Sequence, residues 1–487
     1  MTMSQLPVEL VFIPSPGLSH LVSTIEAAKL LLVRGGNRLA VTVLIIKLPK
    51  GADDQKEKIS SIMEGTIPRL RFVELPDDHN IQPGSPTFLF DYIDNHADKI
   101  RQFLSEMIEK PLVPGTQLAG LVLDMFCTSF IQVGNEFSIP SYVFFTSGAL
   151  TLGTFYDLVS LKFEQNQDLA QYKDSHVELS LNCASHPIPV KLFPTIFFEG
   201  SSVADLFLGY FQKMTDTKGV LVNTFYDLQK YTLDSLSAHY NKYPKVYPIG
   251  PILKDNHDGS GGNPPENDVI KWLDDQPEDS VVFLCFGTMG AFEEAQVREF
   301  AKALEDSGSR FVWSLRKPSG EKSIRLSGEY GSFDEVLPEG FLERTAAAGR
   351  VIGWAPQVAV LAHAAVGGFV SHCGWNSVLE TVWHGVPVAA LPLYAEQHMN
   401  AFELATELGI AEVIRSDYKT DSSKKAEVIP AGEIEAAIRR VMAAESGVRE
   451  KMKEMQRKSR EALKEGGSSY ASQMEFLQDV LRNVGLE

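Results

Sequence analysis

Short hydrophobic runs alternate along most of this chain with stretches whose apolar positions recur at helical spacing. Residues 8–13 (VELVFI) are an apolar run that ends in a Pro/Gly turn. Residues 21–34 set Ile25, Ala28 and Leu32 on one helical face. Residues 39–46 are so rich in Val, Ile and Leu that they read as a strand buried on both faces. The pattern goes on through a strand at 118–124, a helix at 129–137, a strand at 141–145 and a helix at 149–158. Residues 160–215 are less regular: polar at 164–174, then marked by Pro187, Pro189 and Pro194. Residues 220–225 restore a strand. The second half repeats the theme, with strands at 280–286, 310–315, 351–353, 366–371 and 386–391 and helices at 293–307 and from Asn376. Residues 317–335 read as a long mobile surface loop. From Ala431 the chain turns helical and charge-rich, breaks at Gly466-Gly467-Ser468-Ser469, and ends in an amphipathic helix at 470–484.

Alternation of this kind predicts an α/β protein with open parallel sheets covered by helices on both sides. A chain of 487 residues is too long for one ordinary core. The best boundary follows Tyr247-Pro248-Ile249-Gly250-Pro251, where 255–267 is dense in Gly, Asn, Asp and Pro. The expected division is residues 1–250, residues 251–469, and a C-terminal helix at 470–487 packing back on the first domain. Strand–loop–helix units hold ligands at the carboxyl ends of their strands, so two such domains facing each other enclose a cleft.

Composition narrows the partners. Hydrophobic residues make up 44% and charged residues 22%, as in a soluble globular protein. A net charge of −18 without a Lys/Arg cluster argues against nucleic acid, although backbone dipoles can still hold a phosphate. Cys127, Cys183, Cys285 and Cys373 are widely spaced and include no C-x-x-C, which favours reduced thiols over disulfides or zinc. The start of the chain lacks a basic region, so it reads as a first strand and not as a signal peptide. No apolar stretch is long enough to span a bilayer. These features lead to the expectation of a cytoplasmic monomer.

The densest chemistry lies between Trp354 and Gln397. Within it, GGFVSHCGWNS (367–377) reads as a buried strand, a Gly-containing turn and a helix start. A helix start offers unpaired N–H groups and a partial positive charge, a natural seat for phosphate. Trp354, Gln357, His372, Trp375, Asn376, Ser377, Glu380, Glu396 and Gln397 crowd around it. This mixture suits a nucleotide sugar: an aromatic face for the base, donors for a diphosphate, and carboxylates and amides for sugar hydroxyls.

The stretch 354–397 resembles the plant secondary product glycosyltransferase box, the signature of the plant family 1 UDP-dependent glycosyltransferases. PSPGLSHLVSTIEAAKLL, LVLDMFCTSF, VFFTSGALTLG, YPIGPIL and FLCFGTMGAF resemble the same family, in order, over most of the chain. The resemblance implies the GT-B arrangement of two facing Rossmann-like domains. It implies inverting transfer from a UDP-sugar to a small lipophilic acceptor, without a metal or other cofactor. It assigns the base to His20, assisted by Asp124. Trp354 and the Ala355 backbone would take uracil, and Gln357 and Glu380 the ribose. His372, the helix start after Gly374, Asn376, Ser377 and Thr288 would take the diphosphate. Trp375, Glu396, Gln397 and Thr146 would take the sugar, with Trp375 and Gln397 pointing to glucose. Phe126, Phe145 and Tyr394 would line the acceptor site, joined by the Phe-rich stretch 193–211. The chain departs from the family at Ser19, where Gly is usual, at Thr288, which replaces Ser, and at Leu391, which replaces Trp on the expected floor of the pocket.

Each residue also has a plainer reading. Ser377-x-x-Glu380 is a capping-box pattern. Trp354 and Trp375 suit a core. Asp124 suits an N-cap, and Thr146 a cap for the helix from Ala149. Two other functions compete with transfer: a nucleotide-sugar sensor without catalysis, and a Rossmann oxidoreductase. The second lacks G-x-G-x-x-G after its first strand, where the chain reads PSPGLSH.

Overall fold

The computed structural model describes residues 7–47, 67–76, 87–111, 115–173, 175–198, 202–253, 268–318, 327–420 and 427–486. The Gly/Asn/Asp/Pro-rich linker expected at 255–267 thus lies wholly outside the described residues, as do residues 319–326 of the expected surface loop.

The strands follow the hydrophobic runs. The first half contains β1 (Val8–Ile13), β2 (Leu39–Ile45), β3 (Leu70–Glu74), β4 (Gln117–Asp124) and β5 (Ser141–Phe145). A short antiparallel pair, β6 (Glu178–Leu179) and β7 (Ile188–Pro189), interrupts the series before β8 (Gly219–Val222) and β9 (Lys245–Pro248). The second half contains β10 (Val281–Cys285), β11 (Arg310–Ser314), β12 (Gly349–Ile352), β13 (Val366–Ser371), β14 (Val388–Ala390) and β15 (Ala411–Val413).

These strands build two wholly parallel sheets. The first has the order β3-β2-β1-β4-β5-β8-β9 and the second β12-β11-β10-β13-β14-β15. In each, the order reverses once: between β1 and β4 in the first sheet, and between β10 and β13 in the second. Loops leaving the carboxyl ends of strands at such a reversal diverge to opposite faces and open a crevice. Burial on both faces explains why β1, β2 and β10 are almost continuously apolar. The exception is Glu9 in β1, buried but bonded by Thr42 Oγ1 (2.6 Å), Thr116 Oγ1 (3.1 Å) and Arg71 (3.2 Å). A buried carboxylate persists only when its oxygens are satisfied in this way.

The last helix, Ser468–Arg482, lies against the first sheet. Phe476, Leu477 and Val480 join the core formed with β1 and β2, and the Phe476 ring meets Tyr142 edge-on at 5.0 Å. Gln473 donates to the Ile249 carbonyl (2.7 Å) and Asn483 to that of Ala119 (2.8 Å).

Two expectations are corrected. The described ends of 317–335 are held and not loose. Lys317 pairs with Gly328, and Ser332 and Glu335 form a capping box around a short 3-10 turn. Leu391 is fully buried in the core of the second half, among residues such as Val370 and Leu393, and lines neither cavity described below. Its position directly after β14 turns it inward, away from the cleft. All four cysteines are buried and unpaired in disulfides. No helix among the described residues is long and apolar enough to cross a membrane.

Candidate active site

A cavity of about 540 Å³ opens where the two strand-order reversals face each other. From the first sheet it receives the start of the helix Leu18–Gly35, the turn after β4 and the loop after β5. From the second it receives the loops after β10, β11, β12, β13 and β14. Residues from both halves of the chain meet here: His20, Phe126 and Thr146 from one side, and Thr288, Trp354, Ala355, Gln357, His372, Gly374, Trp375, Asn376, Ser377, Glu380, Tyr394, Glu396 and Gln397 from the other.

Asp124 ends β4 and stands behind His20. Its two oxygens are divided. Oδ1 accepts from the Phe126 N–H (3.0 Å) and caps the following 3-10 turn, while Oδ2 accepts from His20 Nδ1 (2.7 Å). The plain capping reading and the dyad reading are therefore both realised in one carboxylate. Thr146 Oγ1 approaches the same ring nitrogen at 3.3 Å. With Nδ1 occupied, Nε2 is the nitrogen left to the cavity. The His20 side chain is 24% exposed and leans on Phe126, with ring centroids 5.5 Å apart. Burial alone would lower its pKa, but the charge of Asp124, the hydrogen bond to it and the charge of Glu396 outweigh burial and hold it above 6.5.

The opposing wall is built on backbone. The helix Trp375–His384 begins at Gly374 with no side-chain cap. Ser377 therefore lies in the first turn and is not the N-cap, and Glu380 lies beyond it, which removes the capping-box reading. Gln357 instead donates to Ser377 Oγ (2.8 Å) and to Glu380 (2.6 Å), tying the loop after β12 to this helix. The turn before the helix carries Cys373 at φ 59°, a left-handed conformation costly for a side chain with a Cβ. The buried Asn400 amide holds it by donating to the Cys373 carbonyl (2.9 Å). Ala395 is left-handed too, at φ 53°.

His372 packs between two glycines. A Cβ on Gly287, whose φ is +75°, or on Gly374 would come within 2.6 Å of its Nε2. Burial lowers its pKa to about 4, and its Nδ1 has no hydrogen-bond partner. Trp354 is 45% exposed, which excludes a core role, and Arg316 covers one ring face at 5.1 Å. Trp375 is buried, and its indole N–H donates to the Asn223 carbonyl of the first half (2.7 Å). That donor is thus not available to a sugar. Gln397 accepts from the backbone N–H groups of Leu393 (3.0 Å) and Tyr394 (3.3 Å), which turns its amide NH2 toward any ligand. Asn376 exchanges hydrogen bonds with Ser23 across the cleft at 3.2–3.3 Å. Burial pushes the Glu396 carboxyl up, against a backbone hydrogen bond and the charge of His20.

A second, more apolar cavity of about 260 Å³ adjoins the first and shares Met125, Phe126, Ser147, Ala395 and Glu396 with it. Phe155, Ile196 and Phe207 line it as well. Phe145 does not. It faces the core beside Phe155 and Phe211, because alternation along β5 turns it into the helix layer of the first half. Sequence reasoning also overlooked Arg316 and Ser23. Arg316 stands just past β11, and a position beyond the carboxyl end of a parallel strand was the available signal. Ser23 carried none.

The fold and the facing crevices define a GT-B protein. Residues 240–431 match the family model described as UDP-glucoronosyl and UDP-glucosyl transferase. The chain is 47% identical over 480 residues to UDP-glucose flavonoid 3-O-glucosyltransferase 6 of Fragaria ananassa, covering 97% of this chain and 98% of that one. It superposes on the crystal structure of a UGT transferase from Siraitia grosvenorii in complex with UDP with a TM-score of 0.85, at 40% identity, over 97% of this chain and all of that one. For Medicago truncatula UGT71G1 complexed with UDP-glucose the TM-score is 0.83, at 37% identity, over 99% of this chain and all of that one. The chain belongs to the plant family 1 UDP-dependent glycosyltransferases, and it is a UDP-glycosyltransferase enzyme.

Proposed function

We propose that this protein transfers glucose from UDP-glucose to a hydroxyl of a small hydrophobic acceptor, such as a flavonoid, another phenolic or a terpenoid, and releases a β-glucoside and UDP. One observation carries the reading: the His20–Asp124 pair, at 2.7 Å, opens onto the same cavity as the uncapped start of the helix Trp375–His384. Relatives described as acting from UDP-glucose, or solved with UDP or UDP-glucose, support the donor.

The division of labour is between residues 1–250, which bind the acceptor, and residues 251–469, which bind the donor, with the final helix fastening the end of the chain to the first. Uracil stacks on the exposed Trp354 ring and bonds the Ala355 backbone. Gln357 and Glu380, already linked, hold the ribose. The first N–H groups of the helix, with Ser377, Asn376 and Thr288, take the diphosphate, and His372 Nδ1 gains a partner there as a neutral imidazole. Glu396, the Gln397 NH2 and Thr146 hold the sugar, while Trp375 acts as a wall. Phe126 and Tyr394 flank the acceptor.

As the acceptor oxygen attacks the anomeric carbon, its proton passes to His20 Nε2. Asp124 fixes the tautomer and stabilises the imidazolium. The bond from the anomeric carbon to the diphosphate breaks on the opposite face, so an α-linked donor gives a β-product. The charge growing on UDP meets the helix start, which requires no reorganisation. No metal has a part in these steps. The protein is taken to act as a cytoplasmic monomer.

Incubation of the purified protein with UDP-glucose and a panel of phenols and terpenoid alcohols, read by mass spectrometry, tests the reading. Products heavier by one hexosyl unit are expected. His20→Ala should lose about a thousand-fold in kcat while calorimetry returns an unchanged UDP affinity. No product across the panel, or undiminished turnover by His20→Ala, overturns it.

A further inference from the structure

The smaller cavity contains a feature that a merely greasy pocket does not need. Its walls carry aromatic rings: Phe126 meets Phe207 with centroids 5.7 Å apart at 65°, and Phe155 meets Phe207 at 6.0 Å and 86°. Rings fixed edge to face in this way present flat surfaces that suit a planar aromatic guest. Into this setting the loop after β5 brings Ser147, which borders both cavities and is only 3% exposed. Its Oγ has no hydrogen-bond partner. A buried hydroxyl left unpaired is destabilising, and native structures rarely keep one without a use. Thr151, in the first turn of the helix Ala149–Val159 that follows, borders the smaller cavity too and is equally buried. These two hydroxyl-bearing residues form a polar stripe in a wall that is aromatic at Phe126, Phe155 and Phe207 and carries further polar side chains at Thr195 and Glu396.

We propose that Ser147 and Thr151 are specificity residues for the acceptor: they recognise a second hydrogen-bonding group, a hydroxyl or carbonyl, carried by a planar aromatic acceptor at a distance from the hydroxyl that reacts at His20. The inference rests on the glucosyl-transfer reading above and narrows it. Monohydroxy aromatics and saturated terpenoid alcohols bind the same walls but leave the stripe unpaired. Acceptors with a polar group at the far end satisfy it.

The test compares para-phenylphenol with para,para′-biphenol, two-ring phenols that differ by the distal hydroxyl. Wild type should favour the biphenol in kcat/KM by about ten-fold or more, beyond the factor of two that its equivalent hydroxyls allow. In Ser147→Ala, Thr151→Val and the double variant this ratio should fall toward two. A purely structural loss lowers both rates together and leaves the ratio intact. Calorimetric binding of the same two phenols to UDP-loaded His20→Ala reads recognition without turnover, so a binding preference there, with no product formed by the wild type, would sink the transfer reading and uphold this one. A wild-type ratio near two in both measurements, or a ratio unchanged in the double variant, overturns the proposal.

Discussion

His20 and His372 line the same cavity from opposite halves of the molecule, and each follows a strand beside the point where its sheet reverses order. Their chemistry diverges. His20 has a carboxylate at 2.7 Å and is held above 6.5, whereas His372 has nothing to balance its burial and falls to about 4. Burial disfavours the charged form at both sites, so the partner, and not the depth, decides the sign. The first sheet's crevice thus carries a group able to take a proton near neutrality. The second carries fixed dipoles and a neutral ring, suited to hold an anion without trading protons. On the proposed reading, one architecture, used twice, separates proton chemistry from donor binding by a single residue: Asp124 at the end of β4 has no counterpart beside His372 among the described residues.

The sharpest way to break this contrast is to neutralise the partner. Asp124→Asn should cost about 10²–10⁴ in kcat, since the imidazole loses both its tautomer and its stabilising charge. The sign of the accompanying pH effect is fixed. A base must be neutral to act, and a raised pKa means that the neutral form is lost earlier as pH falls. The acid limb of kcat/KM in the wild type should therefore lie above pH 6.5, and in Asp124→Asn it should move down. An acid limb that stays in place would show that Asp124 does not set it.

The backbone side of the contrast is probed by Gly287→Ala. The added methyl meets His372 Nε2 at 2.6 Å and sits on a φ of +75°. The expected result is a weakening of UDP by about ten-fold or more by calorimetry, with a loss of about 1–3 kcal/mol in stability by denaturant melting. Trp354→Ala comes next in size. Loss of one stacked base should raise the KM for UDP-glucose by about ten-fold and leave kcat within a factor of two or three.

The two halves were not equally legible in the sequence. Strands buried on both faces betray themselves by composition, so β1, β2, β10 and β13 were found nearly to the residue. Three of the four edge strands were missed, while the fourth, β12, was found in part. β3 (LRFVE) is only half buried, β15 is AEV, and β9 carries Pro248 within what looked like linker. The helices Phe88–Asp94 and Ala97–Glu109 lie between stretches that gave no frame for them. The cavity residues between Trp354 and Gln397 were visible because they are close in sequence. Contacts made by folding were not: Ser23 meets Asn376 from 353 residues away, and the Trp375 indole finds a carbonyl 152 residues back. Phe145 was misplaced because its face of β5 cannot be read from a run that is buried throughout. The plainer capping-box reading of Ser377-x-x-Glu380 fails because the helix begins two residues earlier, at Trp375.

The smallest expected effect is the most discriminating. If burial alone governs His372, its ring stays neutral throughout the working range and contributes no titration there. Proton NMR of the ligand-free enzyme should show one cavity histidine, absent in His20→Ala, with a midpoint above 6.5. The resonance lost in His372→Asn should not move between about pH 5 and pH 8. His372→Asn keeps a hydrogen-bond donor in place, so it should weaken UDP only several-fold and leave the acid limb of kcat/KM where the wild type has it. A midpoint for His372 near 6.5 would mean that its wall of the cleft is wetter or more negative than the packing between Gly287 and Gly374 allows. Both histidines would then titrate in the same range, and the assignment of the acid limb to His20 would rest on the Asp124→Asn shift alone.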